Sequence, residues 1–556
     1  MKVLQNLVTE KETNFFTSDE TLQKILKQML DKDFYDYAMR ELTDFGSLVC
    51  GEIDKRAKHT DREGEPRLIR YDKYGEEVSE IWVNEGYRKT VEQTYNTGIV
   101  GYVHKEIPQL GRKGNYVYSF AQGYLLSHAE PGFYCPVTLT LATAYLLDHY
   151  ADEELKAKFL PHVCSTGEVE LFEGATFLTE RQGGSDVGAN MVEARFDGTH
   201  YRLYGEKYFA SNAGMCGVAM VLARMPGAPK GTKGLTLFAV PWRNEDGSIN
   251  NLRIRRLKDK LGVRAVPSGE VEFDGSIAYV VGDPKKGIYY MLEALNLSRI
   301  CNAVASVGIM RRAFLESKYY LSNREAFGQR LINYPMIQDS LSKMAAKLHV
   351  EVATTFDLIQ LYDLVTNGKG TERDTILNRL NIAIMKKETA EQAVRFAQEA
   401  IELHGGNGYI EDFVTPRLLR DAQVLTVWEG TANILALEVI RLFKKYNAHE
   451  LFIEEINNRL KKVKESNLKQ IVMEKLEELA EELETFVALD DALQTFEAKG
   501  ITQKLAWMYE SIVAVEWGSQ YGEKYEKLAE IYLEDTWKLR KLGDSMKTVL
   551  YFDEVI

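Results

Sequence analysis

Apolar residues recur at three- and four-residue spacing from Leu22 to Leu30 and from Phe34 to Val49, predicting amphipathic helices that share one core. A charged, turn-rich stretch follows from Gly51 to Val83. Within it RLIRYDKYGEEVSEIWVN alternates as a short hairpin or strapped loop does. TLTLATAYLLDHY (138–150) is apolar almost all round and predicts a buried helix, with Pro131 and Pro136 bounding the turn before it. Between 171 and 283 the texture changes. The runs MVEARF, YRLYGEKYFAS, VAMVLARM, LTLFAVPW, LRIRRL and GEVEFDG are rich in β-branched and aromatic residues and are separated by Gly, Asn, Asp and Pro, the pattern of a β-barrel or sandwich.

Helical periodicity returns near Ile288. ALNLSRICNAVASVGIMRRAFLESKYYLSNR, MIQDSLSKMAAKLHVEVATTFDLIQLYDLV, LNRLNIAIMKKETAEQAVRFAQEAIELHGG and the stretch from Thr431 to Tyr446 supply the four helices of a bundle. Further helical patterns follow Tyr446, among them INNRLKKV, MEKLEELAEELETFVAL and SIVAVEWGSQYGEKYEKLAEIYL. The chain therefore reads as mainly α with an inserted β domain. Its parts are N-terminal helices (1–170), a central β-barrel or sandwich (171–283), a four-helix bundle (284–445) and an extra C-terminal helical domain (446–556).

Composition narrows the class. With 556 residues, 45% of them hydrophobic and 27% charged, the chain is expected to be a soluble protein of several domains. Apolar runs fall short of the roughly 20 residues that span a bilayer, and MKVLQNLVTEKETNFF carries charges where a secretory signal would be apolar. The five cysteines are odd in number, widely spaced and without a CxxC, and His104, His128 and His149 lack metal-ligand spacing. A cytoplasmic protein without a metal site is the expectation. The net charge is −13, and residues 446–556 hold about 23 acidic against about 14 basic residues. Such a surface repels phosphate backbones and argues against bulk binding to nucleic acid.

The candidate chemistry lies mainly in ELHGGNGYIEDFVTPRLLRDAQVLTVWEGTAN, from Glu402 to Asn433. Gly405, Gly406 and Gly408 let backbone N–H groups approach a phosphate without Cβ obstruction. Arg417, Arg420 and Asp421 follow. Glu429, between Trp428 and Gly430, is a carboxylate that partial desolvation would make a stronger base. Singly, the glycines also read as a helix C-terminus with a tight turn, and Glu429 as a solvated helix-entry residue with Thr431 as the cap.

Together HGGNGY, RDA and WEGT resemble the C-terminal signature of the acyl-CoA dehydrogenases. Independent stretches agree: TFLTERQGGSDV (176–187), YFASNAG (208–214), RLKDKLGVRAVPSGEVEF (256–273), Asn296-Leu-Ser-Arg299 and Arg324-Glu-Ala-Phe327-Gly328. RLIRYDKYGEEVSEIWVN, CPVTLTLATA, the WEGTANI variant and the C-terminal extension are most similar to the alkylation-response, AidB-like branch. The resemblance implies FAD as cofactor. Leu178 and Thr179 would lie along the flavin ring, Gly184 and Ser185 near flavin or acyl-CoA, and Phe209 and Ser211 where the family stacks an aromatic and places a hydroxyl. Arg324, Phe327, Gly405 and Gly406 would reach the FAD of a neighbouring subunit, which implies a homodimer or homotetramer. Thr431 and Asn433 would support the diphosphate, and Ser185, Asn296, Arg299 and Gly430 the acyl-CoA. Pro335 and Glu402 depart from the family, which commonly has Gln at both positions.

The activity implied is α,β-dehydrogenation of an acyl-CoA to a trans-2-enoyl-CoA, with Glu429 as base and an electron-transfer flavoprotein as acceptor. The alternatives are an AidB-like flavoprotein with a nucleic-acid-binding or protective role and little dehydrogenase activity, and a flavin monooxygenase on the same fold.

Overall fold

The β-rich runs between 171 and 283 fold into one seven-stranded sheet: β1 (Glu173–Phe177), β2 (Glu193–Phe196), β3 (Tyr201–Ser211), β4 (Cys216–Arg224), β5 (Leu235–Pro241), β6 (Leu252–Leu257) and β7 (Ser268–Val280). The computed structural model describes residues 13–556, so most of the N-terminal stretch read above for a secretory signal lies outside the described residues. Strand β7 pairs antiparallel with β3, β3 with β2, and β2 meets β4 at Glu193 and Arg224. Strand β4 pairs with β5, and β5 returns to β7 at Ala239 and Tyr279. The ring is closed, so the domain is a small barrel. Strands β1 and β6 add to it on β4 and β7. Closure explains why β4 and β5 are buried almost throughout: one face lines the barrel and the other is covered.

These strands belong to one of the two compact units of the described chain, Asp36–Cys301; the other comprises 302–556 with residues 13–35. In the first unit the predicted hairpin is present, with Arg67–Tyr71 antiparallel to Glu77–Trp82. It is tied to β6, since the Ser79 hydroxyl accepts from the Ile254 amide at 3.1 Å. The buried helix is longer than its apolar run predicts. It spans Pro131–Tyr150, with Pro131 in its first turn and Pro136 inside it rather than in a preceding turn. A proline that early removes one backbone bond and needs clearance only at the carbonyl of Gly132. His104 pairs with Asp148 at 2.9 Å, and His128 and His149 bond the carbonyls one helical turn back.

Glu173, the first residue of β1, is fully buried and accepts from the Tyr95 hydroxyl at 3.0 Å. Burial pushes its carboxyl up to about 7, against the opposing Tyr95 hydrogen bond. The unfolded chain ionises near 4.5, so stability is lost as pH rises from there through 7. Glu173→Gln is therefore expected to be nearly neutral at pH 4 and to stabilise on the order of 2–3 kcal/mol at pH 8, as read by denaturant unfolding at both values.

In the second unit helical periodicity gives α1 (Gly287–Asn323, its first residues lying in the other unit), α2 (Pro335–Thr366), α3 (Glu372–His404), α4 (Thr415–Leu425) and α5 (Ala432–Tyr446). The extension adds α6 (Ala448–Leu460), α7 (Asn467–Val487), α8 (Asp491–Tyr521) and α9 (Glu523–Thr536). Helix α3 packs against α2, α4 and α5, while α8 lies against α2, α3 and α5 and α9 against α2. The extension thus docks on its own bundle. Its docking face holds a buried charge cluster. Lys347 Nζ of α2 lies 3.1 Å from Glu351, 2.8 Å from Glu388 of α3 and 2.7 Å from Glu510 of α8, and Tyr532 of α9 donates to Glu510.

Candidate active site

In the barrel unit the candidate flavin segment leaves the end of β1. Leu178 offers its carbonyl to Asn190 Nδ2 at 2.9 Å and to Lys207 Nζ at 3.3 Å, and the Thr179 carbonyl accepts from the Tyr208 amide at 2.9 Å. Lys207 is fully buried and pairs with Glu180 at 2.8 Å. Burial lowers its ammonium below the usual lysine range, opposed by Glu180. Glu180 also accepts from the amides of Met191 and Val192. Glu180, Asn190 and Lys207 therefore fix the path of Leu178 and Thr179. Sequence reading passed over them, although Lys207 stands at an inward position of β3, where a lysine needs a buried partner.

Gly184 and Ser185 lie exposed on the turn that follows, and a Cβ at Gly184 would come within 2.5 Å of the Thr179 hydroxyl. Glycine there lets the turn close over Thr179. On β3, Phe209 stays 54% exposed with Tyr208 edge-on to its ring, and the hydroxyl of Ser211 lies 3.2 Å from that of Ser268. Lys258 Nζ stands 4.8 Å from the Phe209 ring centroid. In the part of α1 that belongs to this unit, Asn296 is buried and accepts from Arg299 Nη1 at 3.2 Å.

The second unit carries the remaining candidates. Arg324 opens a two-strand hairpin, Glu325–Ala326 with Gln329–Arg330, whose tip is Phe327 and Gly328, both at positive φ. A two-residue turn with both centres left-handed matches strand twist, and here it holds Phe327 97% exposed. Gly405–Tyr409 forms a tight 3-10 turn ending α3, with Gly405 at φ +61°. Gly405 and Gly406 are exposed, with open space where a Cβ would stand, whereas a Cβ at Gly408 would come within 2.4 Å of the Ile401 carbonyl oxygen. Asn407 donates to Tyr320 Oη at 3.1 Å, and Tyr320 stacks on His404, so the turn is anchored to α1. Glu402 is exposed, and Pro335 starts α2, where it needs no amide hydrogen. Arg417 and Asp421 are buried on α4, and Arg420 pairs with Glu411.

Glu429 lies in the turn between α4 and α5. Its φ is +58°, followed by Gly430 at +104°, so two consecutive residues take left-handed or glycine-like backbone. A glutamate adopts that conformation at a cost of about 1–2 kcal/mol, which the surroundings must hold. Glu429 and Gly430 are half-buried, and Thr431 and Asn433 are exposed at the start of α5. Thr431 occupies the cap position, but its side chain does not cap the helix. Two buried residues not singled out from the sequence grip this turn: Asn302 Nδ2 donates to the Leu425 carbonyl at 3.1 Å, and Lys386 Nζ donates to the Gly430 carbonyl at 2.7 Å.

Three family models cover most of the chain: the acyl-CoA dehydrogenase middle domain matches residues 175–276, the acyl-CoA dehydrogenase C-terminal domain 285–442, and the adaptive response protein AidB N-terminal domain 6–167. This chain belongs to the acyl-CoA dehydrogenase family. Acyl-CoA dehydrogenase family member 11 of Caenorhabditis elegans is 32% identical over 441 residues, covering 77% of this chain and 70% of the relative. AidB of Escherichia coli K12 is 31% identical, covering 78% of each. The solved structure of Caenorhabditis elegans ACDH-11 in complex with C11-CoA superimposes with a TM-score of 0.88 at 28% identity, over 97% of this chain and 93% of that one. The resemblance to the AidB-like branch, the mainly α fold with its inserted β domain and the C-terminal extension all stand.

FAD is the cofactor of this oxidoreductase family. The residues present fit it: a strand end with fixed carbonyls beside an exposed aromatic face suits a flat heterocycle, and exposed glycines beside a positive φ suit a diphosphate. Among the described residues no helix is long and apolar enough to cross a membrane.

Proposed function

We propose that the chain is an FAD-dependent acyl-CoA dehydrogenase that converts an acyl-CoA to its trans-2-enoyl-CoA, with Glu429 as the base. The observation that carries this reading is the constrained turn at Glu429. A carboxylate held in a costly left-handed conformation by two buried side chains is held for a purpose other than stability. Glu429 takes the α-proton of the thioester. FAD, when bound, supplies the acceptor for the β-hydride. Leu178, Thr179, Gly184, Phe209 and Ser211 orient the flavin ring, and Ser185, Asn296, Arg299 and Gly430 hold the thioester and its CoA. An exposed carboxylate is far too weak a base for an aliphatic α-proton, so the reaction needs water excluded from the half-buried Glu429.

The acceptor of the electrons is an electron-transfer flavoprotein, and the working form is a homo-oligomer. Phe327, Met336, Tyr409 and Ile410 are exposed apolar residues on the hairpin, the start of α2 and the glycine turn, and a second copy that receives Arg324, Phe327, Gly405 and Gly406 would cover them. The rival reading, a protective AidB-like role with little dehydrogenation, draws on the match at 6–167 and is opposed by the acidic extension. Turnover of acyl-CoAs with an electron-transfer flavoprotein separates the two. A product lighter by two hydrogens is the expected result, and its absence with every chain length and branching tried would count against the dehydrogenase.

A further inference from the structure

We propose that Lys386 is a positioning residue for the Glu429 turn: its ammonium, gripping the Gly430 carbonyl, holds the base in its left-handed backbone conformation. The inference rests on the reading of Glu429 as base for its catalytic consequence, but its structural content stands apart from that reading.

Lys386 lies on α3 and is 1% exposed. An ammonium is costly to bury, and a leucine or methionine would fill the same helix position without that cost. Its 2.7 Å hydrogen bond to the Gly430 carbonyl is charge-assisted and lands on the residue after Glu429. Before the base, Val427 and Trp428 donate to the Val424 carbonyl, and Asn302 secures the Leu425 carbonyl. After it, the Leu435 amide bonds the Thr431 carbonyl as α5 begins. The Glu429–Gly430 link between them carries the positive φ values, and this is where Lys386 reaches. Release of that carbonyl lets Glu429 relax to negative φ, which swings its side chain away from its present direction.

A double-mutant cycle tests this on the FAD-loaded protein. Glycine takes positive φ without strain, so if Lys386 holds the strained turn, Lys386→Met lets wild type relieve the strain at Glu429 and should lower the melting temperature of wild type by clearly less than that of Glu429→Gly. Lys386→Gln serves the same cycle if the methionine variant fails to fold. A lysine that only packs the core would give equal losses in both backgrounds, or variants that fail to fold in both, and either result would overturn the proposal. Amide exchange in 427–431 of Lys386→Met should rise at least about tenfold while α3 and α5 keep their protection. Flavin reduction by an acyl-CoA should slow about 10- to 100-fold, the weight of one charge-assisted hydrogen bond, with acyl-CoA affinity within about threefold and the pH dependence of reduction displaced. If wild type is reduced by no acyl-CoA, the dehydrogenase reading fails, while the cycle and the exchange still decide the role of Lys386.

Discussion

Glu429→Gln should fold, bind FAD and bind acyl-CoA, yet lose flavin reduction by about 10²- to 10⁴-fold, the span that a positioned general base contributes. The substitution is nearly isosteric. It keeps the backbone of the turn at its φ of +58° and leaves the Asn302 bond to the Leu425 carbonyl and the Lys386 bond to the Gly430 carbonyl in place, because both of those bonds go to the main chain. The capacity to accept a proton is removed together with the carboxylate charge. Stopped-flow reduction by acyl-CoA, with the flavin content measured alongside, reads the effect. Reduction within tenfold of wild type would place the base elsewhere.

The second large effect concerns the seam between bundle and extension. Lys347→Met should cost about 3–5 kcal/mol, because it leaves Glu351, Glu388 and Glu510 buried around a vanished ammonium. The same three carboxylates could suggest a metal site, but the lysine already occupies the centre between them. Burial and the Glu510 charge hold Glu351 well above the usual carboxylate range, and burial also raises Glu510, eased by Lys347. Glu388 goes the other way: burial would raise it, but Lys347 and Lys387 bring it down to about 2. The signs then differ with pH. The raised pair keeps a proton that the unfolded chain has released, so its contribution is lost as pH rises through the folded values. The Glu388 contribution is lost as pH falls from about 4.5 toward 2. Glu351→Gln removes the need for that proton and should flatten the alkaline loss without weakening the protein at neutral pH. Calorimetry across pH checks both variants, and a Lys347→Met protein within 1 kcal/mol of wild type would contradict this account.

Much of this architecture was legible in the residue pattern because each element buries one face. Runs of β-branched and aromatic residues bounded by turn residues located β2 to β7, and helical spacing located α1, α2, α3 and α5. Strand β1 was harder to see, since EGATF is short and begins with a glutamate whose burial depends on Tyr95, some eighty residues earlier. Pro136 misled because proline usually ends a helix, and the clearance at Gly132 that tolerates it is a property of the fold. The candidate motifs stood out as glycines and aromatics at recognisable spacing. Lys207, Lys386 and Asn302 did not, for their meaning is set by carbonyls far away in sequence, and a lysine in a helix or strand otherwise reads as a solvated residue. The Glu351–Glu388–Glu510 cluster was hidden for the same reason, with one carboxylate each from α2, α3 and α8.

The measurement that bears most directly on the central claim is an anaerobic titration of the FAD-loaded protein with acyl-CoAs of graded length and branching, followed in the visible flavin band. Bleaching by at least one saturated thioester, absent in Glu429→Gln, is the predicted result. A flavin that stays oxidised with every thioester would contradict it.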